Sequence, residues 1–351
     1  MKNIIALICT AFLLQSCIKE EPKNPEADIL SFQLDESLLT GKTVINQSNN
    51  TIQLFLTGEA FDSGVAPIIE ISPNASISPN SLDSIHFDNG PVEYVVTSQA
   101  GFNKKTYTVE VANVGNWTFD FEDWKAHPDD KYEYPFESNG SEIWTSGNPG
   151  VALSGIPKIA SAYPTRSTTD AYSGSKAAEI VTIPGTELSE FLGIYLYAGS
   201  LFMGDFNSSV VLINPLSATE FGEPYIGTPD RFVGYYKYTP GNTFQDENKN
   251  PVSGKVDECS LYAVLFTGPE RLNGSNINTS DKVIATAKLP DGSARAEYTK
   301  FDIPFIYKAD WDSTATNLMV AIVASSSSEG DRYRGALGSR LVVDSLAIVP
   351  R

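Results

Sequence analysis

No long stretch of this 351-residue chain has apolar residues at helical spacing flanked by caps; short runs that alternate apolar with polar recur instead. Tyr107, Val109 and Val111 set against Thr106, Thr108 and Glu110 are the clearest case. Period-two alternation sends each set to one face of a strand, so the apolar set must be buried against another layer. A chain built this way packs sheet on sheet, and its fold class is all-β.

Two textures divide it. Residues 28–113 hold short strand-like runs at 29–32, 51–56, 65–71, 91–97 and 106–111, broken by turns such as Asp88-Asn89-Gly90-Pro91. That spacing fits an N-terminal immunoglobulin-like β-sandwich, whose job would be spacing. From residue 114 to 351 aromatics become denser and loops longer. Strand candidates there are 117–121, 176–182, 191–198, 209–213, 231–238, 260–266, 283–288, 299–304, 317–325 and 340–349. With no visible repeat of propeller length, the expectation is a larger β-sandwich jelly roll.

The N-terminus reads as an export signal. A short basic start at Met1-Lys2-Asn3 precedes an apolar run from Ile4 to Leu14, broken by Thr10, and Leu14-Gln15-Ser16-Cys17 has the pattern of a lipobox. Residues 1–17 are thus expected to act as a lipoprotein signal peptide with the lipid on Cys17. The apolar run is too short to span a bilayer, which takes about 20 residues. Residues 18–27 are charged and proline-bearing and suit a solvated tether. Cys17-Ile18-Lys19-Glu20-Glu21 resembles the acidic signal that carries Bacteroidetes lipoproteins to the cell surface, so a lipid-anchored place on the outer membrane is expected.

A net charge of −18, with no clustered Lys and Arg, argues against nucleic acid as a partner. Processing would remove Cys9 and acylate Cys17, leaving Cys259 with no disulfide partner. Cys259 is then either a nucleophile or a buried strand residue beside Leu261, Ala263 and Leu265, and the absence of a nearby histidine favours the second. His86 and His127 are the only histidines, too few for a multi-histidine metal site. Ser173-Gly174-Ser175-Lys176 matches Ser-x-x-Lys, but glycine makes it a turn rather than one helical face.

Sugar chemistry fits the residues better. A pyranose stacks its C–H face on an aromatic ring and needs planar donors and acceptors for its hydroxyls. In Gly234-Tyr235-Tyr236-Lys237-Tyr238, Tyr236 and Tyr238 share one strand face, and Tyr235 and Lys237 the other. Tyr236 and Tyr238, with Trp144, are the expected platform; the alternative is that they fill a half-buried strand. Hydrolysis of a glycosidic bond would need two carboxylates, drawn from Glu122, Asp123, Glu137, Glu142, Asp205, Asp331 and Asp344. Glu122 and Asp344 also suit a structural calcium between the first and last strands of such a jelly roll, the one cofactor expected. The serine run 325–328, followed by Gly330, Gly335 and Gly338, reads as a tight loop presenting Asp331 and Arg334 to a ligand. The alternative is a loop-fixing ion pair between Asp331 and an arginine.

Five ordered segments resemble one family: Phe119-Asp120-Phe121-Glu122-Asp123-Trp124, residues 144–148, 198–206 and 234–241, and the ending 325–344. They are similar to the putative carbohydrate metabolism domain of Bacteroidetes lipoproteins. One departure is Ser146-Gly147-Asn148, where a Thr-Ala-Asn-like run is expected. The resemblance implies an immunoglobulin-like domain followed by a jelly roll with a glycan pocket, and supplies no catalytic pair. Three readings stay open: a glycan-binding surface lipoprotein, a glycoside hydrolase, and a structural or adhesive protein. An aromatic strand packed wholly in the core would favour the last.

Overall fold

A computed structural model describes residues 22–115, 117–137, 142–311, 315 and 317–351. Cys17 and the signal segment lie outside the described residues. Among the described residues no helix is long and apolar enough to cross a membrane.

The N-terminal unit is a sandwich of a two-stranded and a five-stranded sheet. Ile29–Gln33 pairs with Ile68–Ile71; opposite lie Leu39–Asn46, Thr51–Leu56, Lys104–Val114, Val92–Thr97 and Ser76–Ser78, in that order. Thr51–Leu56 and Lys104–Val114 run parallel, the other neighbours antiparallel. The alternation read at residues 106–111 holds: Tyr107 and Val109 are buried with Ile29, Phe32, Leu54 and Val96 in one core.

The larger unit is a jelly roll of two sheets. One runs Thr165–Thr168, Ala177–Val181, Arg340–Pro350, Pro229–Thr239 and Arg295–Pro304, with Thr118–Phe119 beside Arg340–Pro350. The nine-stranded sheet is centred on Ser200–Phe206, Leu318–Ser325, Ser260–Thr267 and Val283–Lys288. Between the sheets lies a core that includes Leu201, Leu261, Ile322, Phe232, Leu341 and Val343. The central strands of the larger sheet are apolar on both faces, as their unbroken runs Leu261–Phe266 and Leu318–Ala324 require. Their second face carries its own cluster, Phe202, Tyr262, Phe266, Met319 and Val323, roofed in part by Phe221, Leu272 and Ile277. The two units touch: Phe55 and Ala112 pack into the jelly-roll core, Ile226 N donates to Thr40 O at 3.2 Å, and Lys42 Nζ donates to Asn317 Oδ1 at 2.9 Å.

Two expected strands are not strands. Residues 191–198 contain the end of helix Glu187–Phe191 and only a two-residue strand, Leu196–Tyr197. Residues 209–213 form turns leading into helix Pro215–Ala218. Thr186 caps the first helix, accepting from Ser189 N while Ser189 Oγ accepts from Thr186 N, and this local gain competes with strand pairing. The apolar side chains of residues 191–194 and 209–213 are consequently left outside any sheet.

Candidate functional site

The middle of the serine run that reads as a tight loop is a buried polar clasp. Ser326 and Ser327 are fully buried. Ser326 Oγ lies 2.8 Å from Thr182 Oγ1 and accepts from Gly199 N at 2.9 Å. At the centre sits Asp257, which accepts from Ser327 Oγ at 2.6 Å, Ser339 Oγ at 2.7 Å, Ala336 N at 2.8 Å and Glu258 N at 3.0 Å. Burial pushes the Asp257 carboxyl above its ordinary range, and these donors partly offset it. The clasp seats the short helix Gly330–Arg332 over the second face of the nine-stranded sheet. Gly330 is required there, because a Cβ would stand 2.3 Å from the Ala198 Cβ.

Two adjoining chambers open at this point, sharing Ala198, Leu216, Gly330 and Asp331. The first encloses about 510 Å³ and is walled by Val151, Leu188, Leu192, Phe206 and Leu212, with Tyr197, Tyr333 and Asp331 at its edge. The second, about 220 Å³, is lined by Ser260, Tyr262, Asn278, Lys288, Ser325 and Ser328. Burial pushes the Tyr262 phenol up, and the Asp331 charge adds to that. Tyr262 therefore stays a neutral hydroxyl that can donate and accept.

The structure sorts the expected site residues. Asp331 is exposed and lines both chambers. Arg334 lines neither; it pairs with Glu329 at 3.1 Å and lies over the Phe244 ring, so the loop's ion pair uses Glu329 and not Asp331. Tyr236 and Tyr238 are 2% and 1% exposed and point between the sheets, where Tyr238 Oη donates to Ser326 O at 3.0 Å. Trp144 is buried edge-on against Phe119 and Phe121. None of these three rings presents a face to a sugar, which removes the expected platform. The strand alternation is as read, but the outward set is Tyr235 and Lys237: Tyr235 stacks on half-exposed Tyr172 at 3.5 Å, and Lys237 pairs with Asp170 at 2.9 Å. Cys259 is buried, and burial pushes its thiol up to about 12, as suits a strand residue rather than a nucleophile.

Glu122 and Asp344 both hold one loop. Glu122 accepts from Ser175 N and Oγ and from Lys176 N, and Asp344 from Tyr172 N at 2.7 Å and Ser173 N at 3.0 Å. Gly174, at φ +68°, leaves the space the Glu122 carboxylate occupies, since a Cβ would come within 2.1 Å of it. Among the described residues no three His, Cys, Asp or Glu side chains gather to hold a metal.

A second polar cleft of about 500 Å³ lies between the units, lined by Gln53, Glu110, Glu142, Asp205, Glu223 and Arg271. Arg271 Nη2 donates to Glu223 Oε1 at 2.7 Å, and Nη1 stands 3.7 Å from Asp205 Oδ2. Arg271 thus gathers Asp205 and Glu223 around one guanidinium. Burial pushes Glu223 up to about 7 against the pull of Arg271. Nothing in the amino-acid sequence singles out Glu223 or Arg271, which are 48 residues apart with strands Pro229–Thr239 and Ser260–Thr267 between them.

Fold and chambers define a two-domain β-sandwich protein with a loop-covered pocket on its jelly roll. The family model described as "Putative carbohydrate metabolism domain" matches residues 120–349, and the chain belongs to that family. A second model, "SGBP, N-terminal", matches residues 29–111. Among solved structures, the chain is similar to a putative glycoside hydrolase from Bacteroides thetaiotaomicron, with 36% identity, 95% of this chain and 99% of that one covered, and a TM-score of 0.67. It is also similar to a putative glycoside hydrolase from Bacteroides vulgatus, with 30% identity over 67% of this chain and 98% of that one, and a TM-score of 0.62. A search of curated proteins found no match. The role of the chain is carbohydrate-related.

Proposed function

We propose that this chain is a surface-anchored lipoprotein that binds a glycan in the two-chambered pocket of its jelly roll, as part of carbohydrate use. The observation that carries the reading is Asp331. It stands where the chambers join, without an ion-pair or hydrogen-bond partner among the described residues, beside the hydroxyls of Tyr262, Ser325 and Ser328. A free carboxylate among hydroxyls and aromatic edges is the equipment sugar recognition needs. Asp331 is also the one carboxylate among the described residues lining the chambers, whereas hydrolysis takes two, which favours binding over turnover there. The match to an SGBP N-terminal domain, a name that stands for surface glycan-binding protein, supports the surface location, as does the Cys17 lipobox.

A glycan-array screen of the purified protein, with and without calcium, followed by a product assay on each hit, tests this reading. Binding without turnover supports it, and a blank array contradicts it. Hydrolysis is the second reading, favoured by the Asp205–Arg271–Glu223 arrangement in the interdomain cleft. Released product that disappears in Glu223→Gln but persists in Asp331→Ala would establish it.

A further inference from the structure

The glycan reading leaves the first chamber unexplained. A bare sugar placed there would strand its hydroxyls against Val151, Leu188, Leu192, Phe206 and Leu212, and each stranded hydroxyl would cost roughly tenfold in affinity. Its apolar wall is also open to solvent: Leu188, Leu192 and Leu212 are 53%, 60% and 77% exposed. Leu192 and Leu212 come from runs that look like strands, yet neither residue pairs in a sheet, and no hydrophobic core among the described residues includes them. Single exposed apolar residues need no explanation, but a set gathered around one cavity marks a contact surface.

Resting on the pocket reading above, we propose that the ligand is a glycan carrying a compact apolar substituent, an aryl or short acyl ester. The substituent fills the first chamber while a sugar unit occupies the second. Three observations carry the assignment. The chambers adjoin along Ala198, Leu216, Gly330 and Asp331, near enough for one ligand to extend from one into the other. Their linings differ in kind, apolar in one and hydroxyl-, amide- and ammonium-bearing in the other, which matches a ligand with two unlike ends. Segments 147–154, 188–198 and 206–216 together wall the first chamber, whose volume of about 510 Å³ suits a compact group over an extended chain.

Calorimetric titration with paired phenyl and methyl β-glycosides of glucose, galactose, xylose and arabinose tests it, alongside native arabinoxylan and the same polymer after alkaline de-esterification. The expected result is at least tenfold tighter binding of the phenyl glycoside and of the esterified polymer. Each further methylene in a short alkyl series should add about fourfold, levelling off once the chamber is full. Leu192→Asp and Leu212→Asp, both at exposed positions, should bring the phenyl-to-methyl ratio to about one with an unchanged melting temperature. Equal affinities within every pair would overturn the substituent while leaving glycan binding intact. A gain that keeps growing to a dodecyl chain would overturn the compact group in favour of a glycolipid. No binding by any carbohydrate, with the sugar-free dye N-phenyl-1-naphthylamine still bound, would overturn the glycan reading and this inference with it.

Discussion

Replacing Asp257 separates what its charge does from what its acceptor positions do. Four donors converge on this carboxylate, two of them hydroxyls that can turn to other acceptors and two of them fixed N–H groups of Ala336 and Glu258. Asp257→Ala strands the Ala336 N–H in the interior and removes bonds to an ionised group. With about 1–3 kcal/mol for the orphaned donor and a similar amount for the lost charged bonds, the cost should be about 4 kcal/mol. At roughly 2–4 °C per kcal/mol for a domain of this size, the melting temperature should fall by about 8–16 °C. Asp257→Asn keeps the shape and an acceptor. Burial raises the carboxyl's pKa in the folded state, so the stability it contributes is fully present below its unfolded pKa and is lost as pH rises through the folded value. Removing the charge therefore returns part of the loss, and Asn should cost no more than about 1.5 kcal/mol at pH 7. All four tryptophans lie at or beyond residue 117, so urea unfolding followed by tryptophan fluorescence reports this unit. An Ala variant within 1 kcal/mol of the parent, or an Asn variant as damaged as Ala, would refute the reasoning.

Other substitutions probe the remaining elements. Tyr236→Ala opens a cavity in the core and should cost about 3–5 kcal/mol in urea unfolding, while Tyr238→Phe loses only its bond to Ser326 O and should cost about 1 kcal/mol. Burial, with Asp120 nearby, pushes Glu137 up to about 7, so its stabilising contribution is complete below about pH 4.5 and lost as pH rises through 7. Glu137→Gln should flatten a decline of about 2–3 kcal/mol between pH 5 and 8, seen in urea midpoints. Asp344→Ala should free the backbone N–H groups of Tyr172 and Ser173, speeding their hydrogen exchange at least tenfold.

Much of the fold is legible because strand alternation is a local property. The buried set Tyr107 and Val109, and the doubly apolar runs 261–266 and 318–324, declare themselves residue by residue. What alternation cannot say is which of two faces looks inward. Tyr236 and Tyr238 alternate with Tyr235 and Lys237, and both sets are plausible platforms until the partner sheet is in place; the pair inside is the one whose neighbours include Ser326 O and Phe301. The apolar runs at 191–198 and 209–213 mislead for the opposite reason, since a capping box and a proline-led helix override their strand pattern locally. Asp331 is legible from its glycine-rich surroundings, whereas the burial of Ser326 and Ser327 is not, because their partners are distant in sequence, Thr182 for Ser326 and Asp257, 70 residues away, for Ser327.

The most direct experiment is calorimetric titration of a glycan-array hit against the parent protein and Asp331→Ala. Asp331 is exposed and without a partner among the described residues, so its loss should leave the melting temperature within about 1 °C of the parent. Affinity weakened at least tenfold at that unchanged stability is the expected result. An Asp331→Ala protein that binds the same glycan as tightly as the parent would place recognition elsewhere on the molecule.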